Sequence, residues 1–318
     1  MLVAPNPPSA RFVVTHVLAK PAARAISGMK PDRHLVKYIR AHIEARLATQ
    51  DIELLPYPHL IMSNFFPDDV YRKIIDWNLF RHNRGEEWYT QEKLALENKL
   101  GVSPYDHRLQ INFHSGHKYQ AAPEVKQFWR SVSDAFLADD WFPKLIFAKF
   151  PAYFLLRYGE LVNQPDFFSL FRRENFLQRH EPGYFIGPHT DIPSRVFTCL
   201  FTFADRPGWE QFGTLLLRHK DPNIRCEGTQ HYTNWEDFEV IKEAPYSPNN
   251  FMLFFKTRHS WHAVRTITDD VPGQRYGMQI QFYERPQMLR YLTRDKAKGR
   301  REPPAEISTA EAPAAAAA

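Results

Sequence analysis

A chain of 318 residues with 43% hydrophobic and 14% aromatic residues has ample material for a large buried core. Its 41 Lys and Arg against 36 Asp and Glu leave a formal charge of +5, spread along the chain with no basic block, so a nucleic-acid partner is not expected. Only Cys199 and Cys226 occur, which excludes a disulfide framework and fits a reducing, cytoplasmic setting; no apolar run approaches the ~20 residues that span a bilayer.

Residues 1–31 contain several prolines and no acid, with Arg11, Lys20, Arg24 and Lys30. They read as an extended arm, whose composition would also suit an organellar transit peptide in a eukaryotic source. Asp32 is placed to cap a helix whose apolar positions Leu35, Tyr38, Ile39, Ile43 and Leu47 share one face. A strand is expected around Leu60-Ile61-Met62. Pro67-Asp68-Asp69 then opens a second amphipathic helix through Val70, Ile74, Ile75 and Trp77, its acids matched to the helix dipole. A third helix is predicted from Pro123 through Phe128, Trp129, Val132 and Phe136, with more helix between Asp140 and Tyr158. The aromatic stretch from Asn163 through Arg173 is compatible with a lid or with a helix packed on the core.

After about residue 174 the texture changes to short apolar or alternating runs separated by Gly, Pro and Asn: 176–180, 184–186, 196–203, 214–217, 251–255, 263–267 and 276–283. These predict the strands of an antiparallel sandwich or barrel. From about Lys296 the chain is basic and then Pro/Ala-rich. The expected plan is an arm and helix over 1–50, one domain over 51–290 with a β core at about 174–285, and a disordered tail over 296–318. The fold class expected is α+β and mainly β, with an N-terminal helical layer packed on the core.

The chemistry concentrates in Gly187-Pro188-His189-Thr190-Asp191. On an extended strand His189 and Asp191 share one side while Thr190 faces away. Two such groups and a distant His can occupy one face of an octahedral metal and leave the opposite positions open. The motif alone is weak, because a chain with 14 His contains roughly one His-x-Asp by chance. A second copy, His219-Lys220-Asp221, runs into the turn signal Pro222-Asn223 and reads as polar residues leaving a sheet. Context favours the first copy. Downstream, Asn249–Phe255 reads as a buried strand, Ser260-Trp261-His262-Ala263-Val264 begins another that carries a distant His, and Arg275 opens an alternating strand where a guanidinium can grip a carboxylate.

Together these segments resemble the 2-oxoglutarate and iron(II)-dependent dioxygenases, in particular the prolyl-4-hydroxylase-like branch. The resemblance rests on the ungapped frame from Arg179 to Asp191, on Gly213-Thr214-Leu215, on Ser260-Trp261-His262-Ala263-Val264, on Arg275, and upstream on Pro56 through Pro67; it covers roughly residues 54–285. It implies a double-stranded β-helix (jelly-roll) core. It further implies Fe(II) held by His189, Asp191 and His262, and 2-oxoglutarate held by Arg275. O2 would be the oxidant and ascorbate an accessory reductant. Two positions depart from the family pattern: His180 stands where that branch has a tyrosine beside the co-substrate, and Arg275 lies 13 residues past His262, farther than usual. Arg265 is nearer but lacks a matching strand.

The activity implied is hydroxylation of an unactivated C–H bond in a small molecule, with succinate and CO2 released. A protein side chain is the alternative substrate, and a non-oxidative metal-binding isomerase or binding module the alternative class. Gln281 stands where nucleic-acid demethylases carry a second arginine, which argues against them. Asp191 argues against a halogenase, whose chemistry needs a small residue there. Arg195 is a candidate substrate contact at the site mouth; Arg218 and Arg258 read as solvated charges. His59, His107, His114, His117 and His259 read as core or surface groups.

Overall fold

Local signals set the helices. Asp32 caps α1 (Arg33–Thr49), its Oδ1 accepting from the backbone N–H of His34 (2.8 Å) and Leu35 (3.2 Å). The helix buries Ile39, Ile43 and Leu47, four residues apart. Asp68 and Asp69 lie in the first turn of α2 (Asp68–Asp76), which precedes the short α3 (Leu79–His82). Pro123 starts α4 (Pro123–Leu137), where its missing N–H costs nothing; α5 (Trp141–Lys149) and α6 (Pro151–Tyr158) follow. The structure, a computed structural model, describes residues 29–82, 89–90, 107–112, 121–228, 234–269, 273–288 and 290. Most of the arm, the tail, His114 and His117 lie outside them. No helix among the described residues is long and apolar enough to cross a membrane.

Eleven described strands form two antiparallel sheets: β1 (His59–Met62), β2 (Tyr89–Thr90), β3 (Arg108–Asn112), β4 (Phe171–His180), β5 (Ile186–His189), β6 (Arg195–Phe203), β7 (Thr214–His219), β8 (Phe238–Ala244), β9 (Pro248–Phe255), β10 (Trp261–Val264) and β11 (Arg275–Glu284). The larger sheet runs β1-β9-β6-β11-β4-β3-β2 and the smaller β5-β10-β7-β8. From β4 onward the chain crosses between sheets at nearly every step, only β7 and β8 being consecutive in one sheet. The strands expected after residue 174 are present within a few residues. β8 lies outside the expected runs, as do β2 and β3, which extend the larger sheet beyond β4.

Period-two alternation splits the larger sheet into two faces. Phe197, Cys199, Phe201 and Phe203 of β6, with Met278, Ile280 and Phe282 of β11, join the main core under the helices. There Phe65 stacks on Phe251 at 4.1 Å and Phe197 on Phe282 at 4.3 Å. Each such buried ring is worth roughly 1.5–3 kcal/mol of burial. The segment after α6 belongs to this core and not to a lid: two short 3₁₀ turns lead into β4, and fully buried Phe167 packs on Phe154, Tyr158 and Phe171. The opposite face looks into the space between the sheets, where Tyr57, Leu216, Ala244, Met252 and Phe254 cluster. On β11 alternation puts Arg275, Gly277, Gln279, Gln281 and Tyr283 on this inner face.

Candidate functional site

His189 ends β5 and His262 lies in β10; the two are direct cross-strand partners, their rings 4.1 Å apart. Asp191 follows two residues after His189. One ligand atom from each of the three lies within 4.8 Å of the others. His189 Nδ1 meets the Gly187 carbonyl at 2.9 Å and His262 Nδ1 the Ser260 carbonyl at 3.0 Å. A carbonyl only accepts, so each Nδ1 carries the proton and each Nε2 the lone pair a metal needs. Burial lowers the proton affinity of His262, against the opposing pull of Asp191, and favours the neutral ligand form.

The carboxylate is prepared in the opposite sense. Burial alone would raise the Asp191 pKa, but Arg195, the charge that His262 and His189 carry once protonated at low pH, and a Thr198 hydrogen bond bring it down to about 2. Thr198 Oγ1 donates to Asp191 Oδ2 at 2.7 Å, and Arg195 Nη1 lies 3.3 Å from Oδ1. Arg195 also donates to Thr198 Oγ1 (2.8 Å) and to the Tyr283 hydroxyl (2.9 Å). The sequence suggests Arg195 as a substrate contact at the site mouth; in the structure it is buried and its guanidinium holds Asp191. Two neutral imidazoles and one ionised carboxylate form a donor set that fits a divalent transition metal.

A second polar group lies at the start of β11. Arg275 pairs across strands with His180 of β4, and Arg275 Nη1 donates to His180 Nδ1 at 3.0 Å. His180 is therefore the tautomer with its proton on Nε2. Burial, then the charges of Arg275 and Arg108, hold its pKa well below the usual imidazole range, so the ring is neutral. That buried Nε2–H has no hydrogen-bond partner among the described residues, which is costly unless a ligand supplies one. Arg275 is 8% exposed and donates through Nε to the Phe212 carbonyl at 3.0 Å. No carboxylate among the described residues pairs with it. The Tyr184 ring packs tilted against His180, 4.0 Å between centroids, and Tyr246 packs against the guanidinium at 5.2 Å. A buried cation beside an orphaned N–H donor fits one end of an anionic ligand.

The other candidates are dispersed. His219 accepts from the Asp221 N–H at 3.0 Å in the turn after β7. Arg265 is exposed and paired with Glu243 (2.9 Å), Arg218 with Glu239, and Arg258 with Glu227. Sequence reasoning missed Thr198, Tyr283 and Lys256; the alternation of β6 and β11 marks the inner-face positions of the first two, but not their partners.

No family model and no curated protein matches the chain. Among solved structures it is similar to a prolyl-4-hydroxylase of Pseudomonas putida, at 12% identity over 78% of this chain and 99% of that one, TM-score 0.37. It is also similar to HygX of Streptomyces hygroscopicus with nickel and 2-oxoglutarate bound (10% identity, 71% and 82%, TM-score 0.41). A third is a full-length Neurospora crassa protein in complex with α-ketoglutarate and thymine (15% identity, 83% and 88%, TM-score 0.35). Similarities of this size leave the chemistry to be argued from the side chains.

Proposed function

We propose that this protein is an Fe(II)- and 2-oxoglutarate-dependent oxygenase that hydroxylates an unactivated C–H bond of a small molecule. The observation that carries the proposal is the presence of two buried polar groups: the His189, Asp191 and His262 cluster, and Arg275 with an orphaned His180 donor. The crossing of β4 through β11 between sheets supports a double-stranded β-helix core. In this reading His189, Asp191 and His262 would hold the iron, and Arg275 with the His180 Nε2–H would hold the distal carboxylate of 2-oxoglutarate. Iron with this co-substrate supplies oxidative decarboxylation coupled to C–H hydroxylation: substrate, 2-oxoglutarate and O2 yield hydroxylated substrate, succinate and CO2.

The side chains contribute orientation and charge. Carbonyl bonds at both Nδ1 atoms lock the imidazole tautomers, and Arg195 with Thr198 keeps Asp191 ionised and aimed. Arg275 sets the co-substrate's direction through a fixed fork. His189, His262 and Arg275 are each less than a tenth exposed. That supports a small or slender substrate over a folded protein surface.

The test is succinate formation from 2-oxoglutarate under O2 with added Fe(II), with and without a substrate panel. Wild type is expected to turn over, and His189→Ala and Asp191→Ala to lose turnover. Undiminished succinate release by both variants would refute the site, and metal binding without any succinate release would favour a non-oxidative jelly roll.

A further inference from the structure

Asp191 sits on a stretch with no strand pairing of its own: residues 190–194 lie between β5 and β6. Its backbone must be fixed by other means. On one side, Lys256 Nζ donates to Thr190 Oγ1 (2.9 Å), the Cys226 carbonyl (3.1 Å) and the Thr257 carbonyl (2.7 Å), while Thr190 Oγ1 donates to the same Cys226 carbonyl (2.9 Å). Gly228 backs directly onto the segment; a Cβ there would lie 2.3 Å from the Asp191 carbonyl oxygen.

On the other side the contact comes from the helical layer. Arg157 of α6 donates through Nη2 to the carbonyls of Pro193 (3.1 Å) and Arg195 (2.9 Å). Its Nη1 donates to the Lys256 carbonyl (3.0 Å) and the Tyr153 hydroxyl (2.7 Å), and Nε to Glu284 Oε1 (2.9 Å). The charge is balanced by that Glu284 carboxylate, which is 4% exposed and also accepts from Tyr158 (2.9 Å). One guanidinium thus ties the backbone of Arg195, whose side chain holds Asp191, to the backbone of Lys256, whose side chain holds Thr190. The planar fork reaches these acceptors at fixed angles, which a single ammonium cannot do.

We infer that Arg157 is a positioning residue of the metal centre: it fixes the backbone at Pro193 and Arg195, and through the Arg195 side chain it sets the Asp191 carboxylate. The inference rests on the proposed role of Asp191 as a ligand. It makes the N-terminal helical layer a working part of the site and not only a cover for the sheet. Outer partners of metal ligands typically change metal affinity by roughly 10- to 100-fold when removed.

The experiment titrates Co(II) into the full-length, metal-free chain, reading the cobalt visible spectrum for wild type, Arg157→Met, Arg157→Lys, Tyr158→Phe and His189→Ala, with thermal unfolding of each. Arg157→Met is expected to weaken Co(II) binding by about 10-fold or more and to alter the cobalt band. Arg157→Lys should fall between it and wild type. Tyr158→Phe, which removes a neighbouring bond to the same Glu284, should lower the unfolding temperature without changing Co(II) affinity. Should Arg157→Met not fold, Arg157→Lys carries the comparison. Co(II) affinity and spectrum unchanged in the Arg157 variants, with His189→Ala impaired, would overturn this inference alone. Wild type that does not bind Co(II), or His189→Ala that binds as wild type does, would overturn the metal site as well.

Discussion

Replacing Arg275 with Met should move co-substrate binding and stability in different directions. In the free protein the guanidinium is buried, makes one bond to the Phe212 carbonyl and one to His180 Nδ1, and faces no carboxylate among the described residues. Burial lowers its proton affinity, the sign of a charge that the fold alone does not compensate. A methionine of similar length removes that unbalanced charge and leaves two acceptors, the Phe212 carbonyl and His180 Nδ1, without their donor, which costs about 2 kcal/mol. The two effects oppose each other, so the metal-free protein should unfold within a few degrees of wild type. With 2-oxoglutarate the balance changes. Two charge-assisted hydrogen bonds at about 1.5–2 kcal/mol each are lost, a total of about 3–4 kcal/mol, or roughly 100- to 1000-fold in Kd. Anaerobic calorimetric titration of 2-oxoglutarate into the Co(II)-loaded protein measures this directly. His180→Phe, which removes one donor to the same carboxylate, should cost about 10-fold. A Kd within twofold of wild type for Arg275→Met, with Co(II) binding intact, would refute Arg275 as the carboxylate anchor.

Three further outcomes follow from the same geometry. Asp191 in the metal-free protein, at about pKa 2 against an ordinary 3.8, contributes about 2 kcal/mol of stability above pH 4 that is lost as the pH falls through 2. Arg195→Met should raise that pKa, seen by carboxyl-carbon NMR titration; an unmoved pKa would show that Arg195 does not hold the carboxylate. Lys256 is shifted in the opposite sense, burial lowering its pKa from 10.5 to about 8. The unfolded chain therefore binds the extra proton between pH 8 and 10.5, and this group's contribution to stability rises with pH by about 3 kcal/mol across that window. Urea unfolding of wild type and Lys256→Met should differ in slope there, and parallel curves would contradict the shift. Finally, a Cβ on Gly213 would lie 2.1 Å from the Ala244 carbonyl oxygen. Gly213→Ala should cost about 3 kcal/mol or more and, by displacing the Phe212 carbonyl that holds Arg275, weaken 2-oxoglutarate binding. A loss under about 1 kcal/mol in chemical unfolding would show that β7 and β8 accommodate it.

Much of this protein is written in local patterns. Asp32 before an i, i+4, i+8 apolar series announces α1 because capping and helical periodicity act within a few residues. His189 and Asp191 could be proposed as neighbours because strand alternation puts them on one side, and His262 because it begins a strand after a buried one. Long-range pairing is not legible in this way. β8, with its partly polar Phe238–Ala244 sequence, becomes a strand only because β7 offers it an edge. β2 and β3 likewise join through β4. Arg195 shows the same limit within the site: as a sequence position it is a charge beside a strand, and only the turn after Asp191 and the approach of Tyr283 from β11 make it the partner of a buried carboxylate. The chain by itself determined which groups are candidates for the chemistry and roughly which strands hold them, since those depend on residue type and short spacing. Tertiary structure alone decided which cation faces which anion and which donor is left for a ligand, because hydrogen bonds and desolvation depend on distances that arise only when strands far apart in sequence are laid side by side.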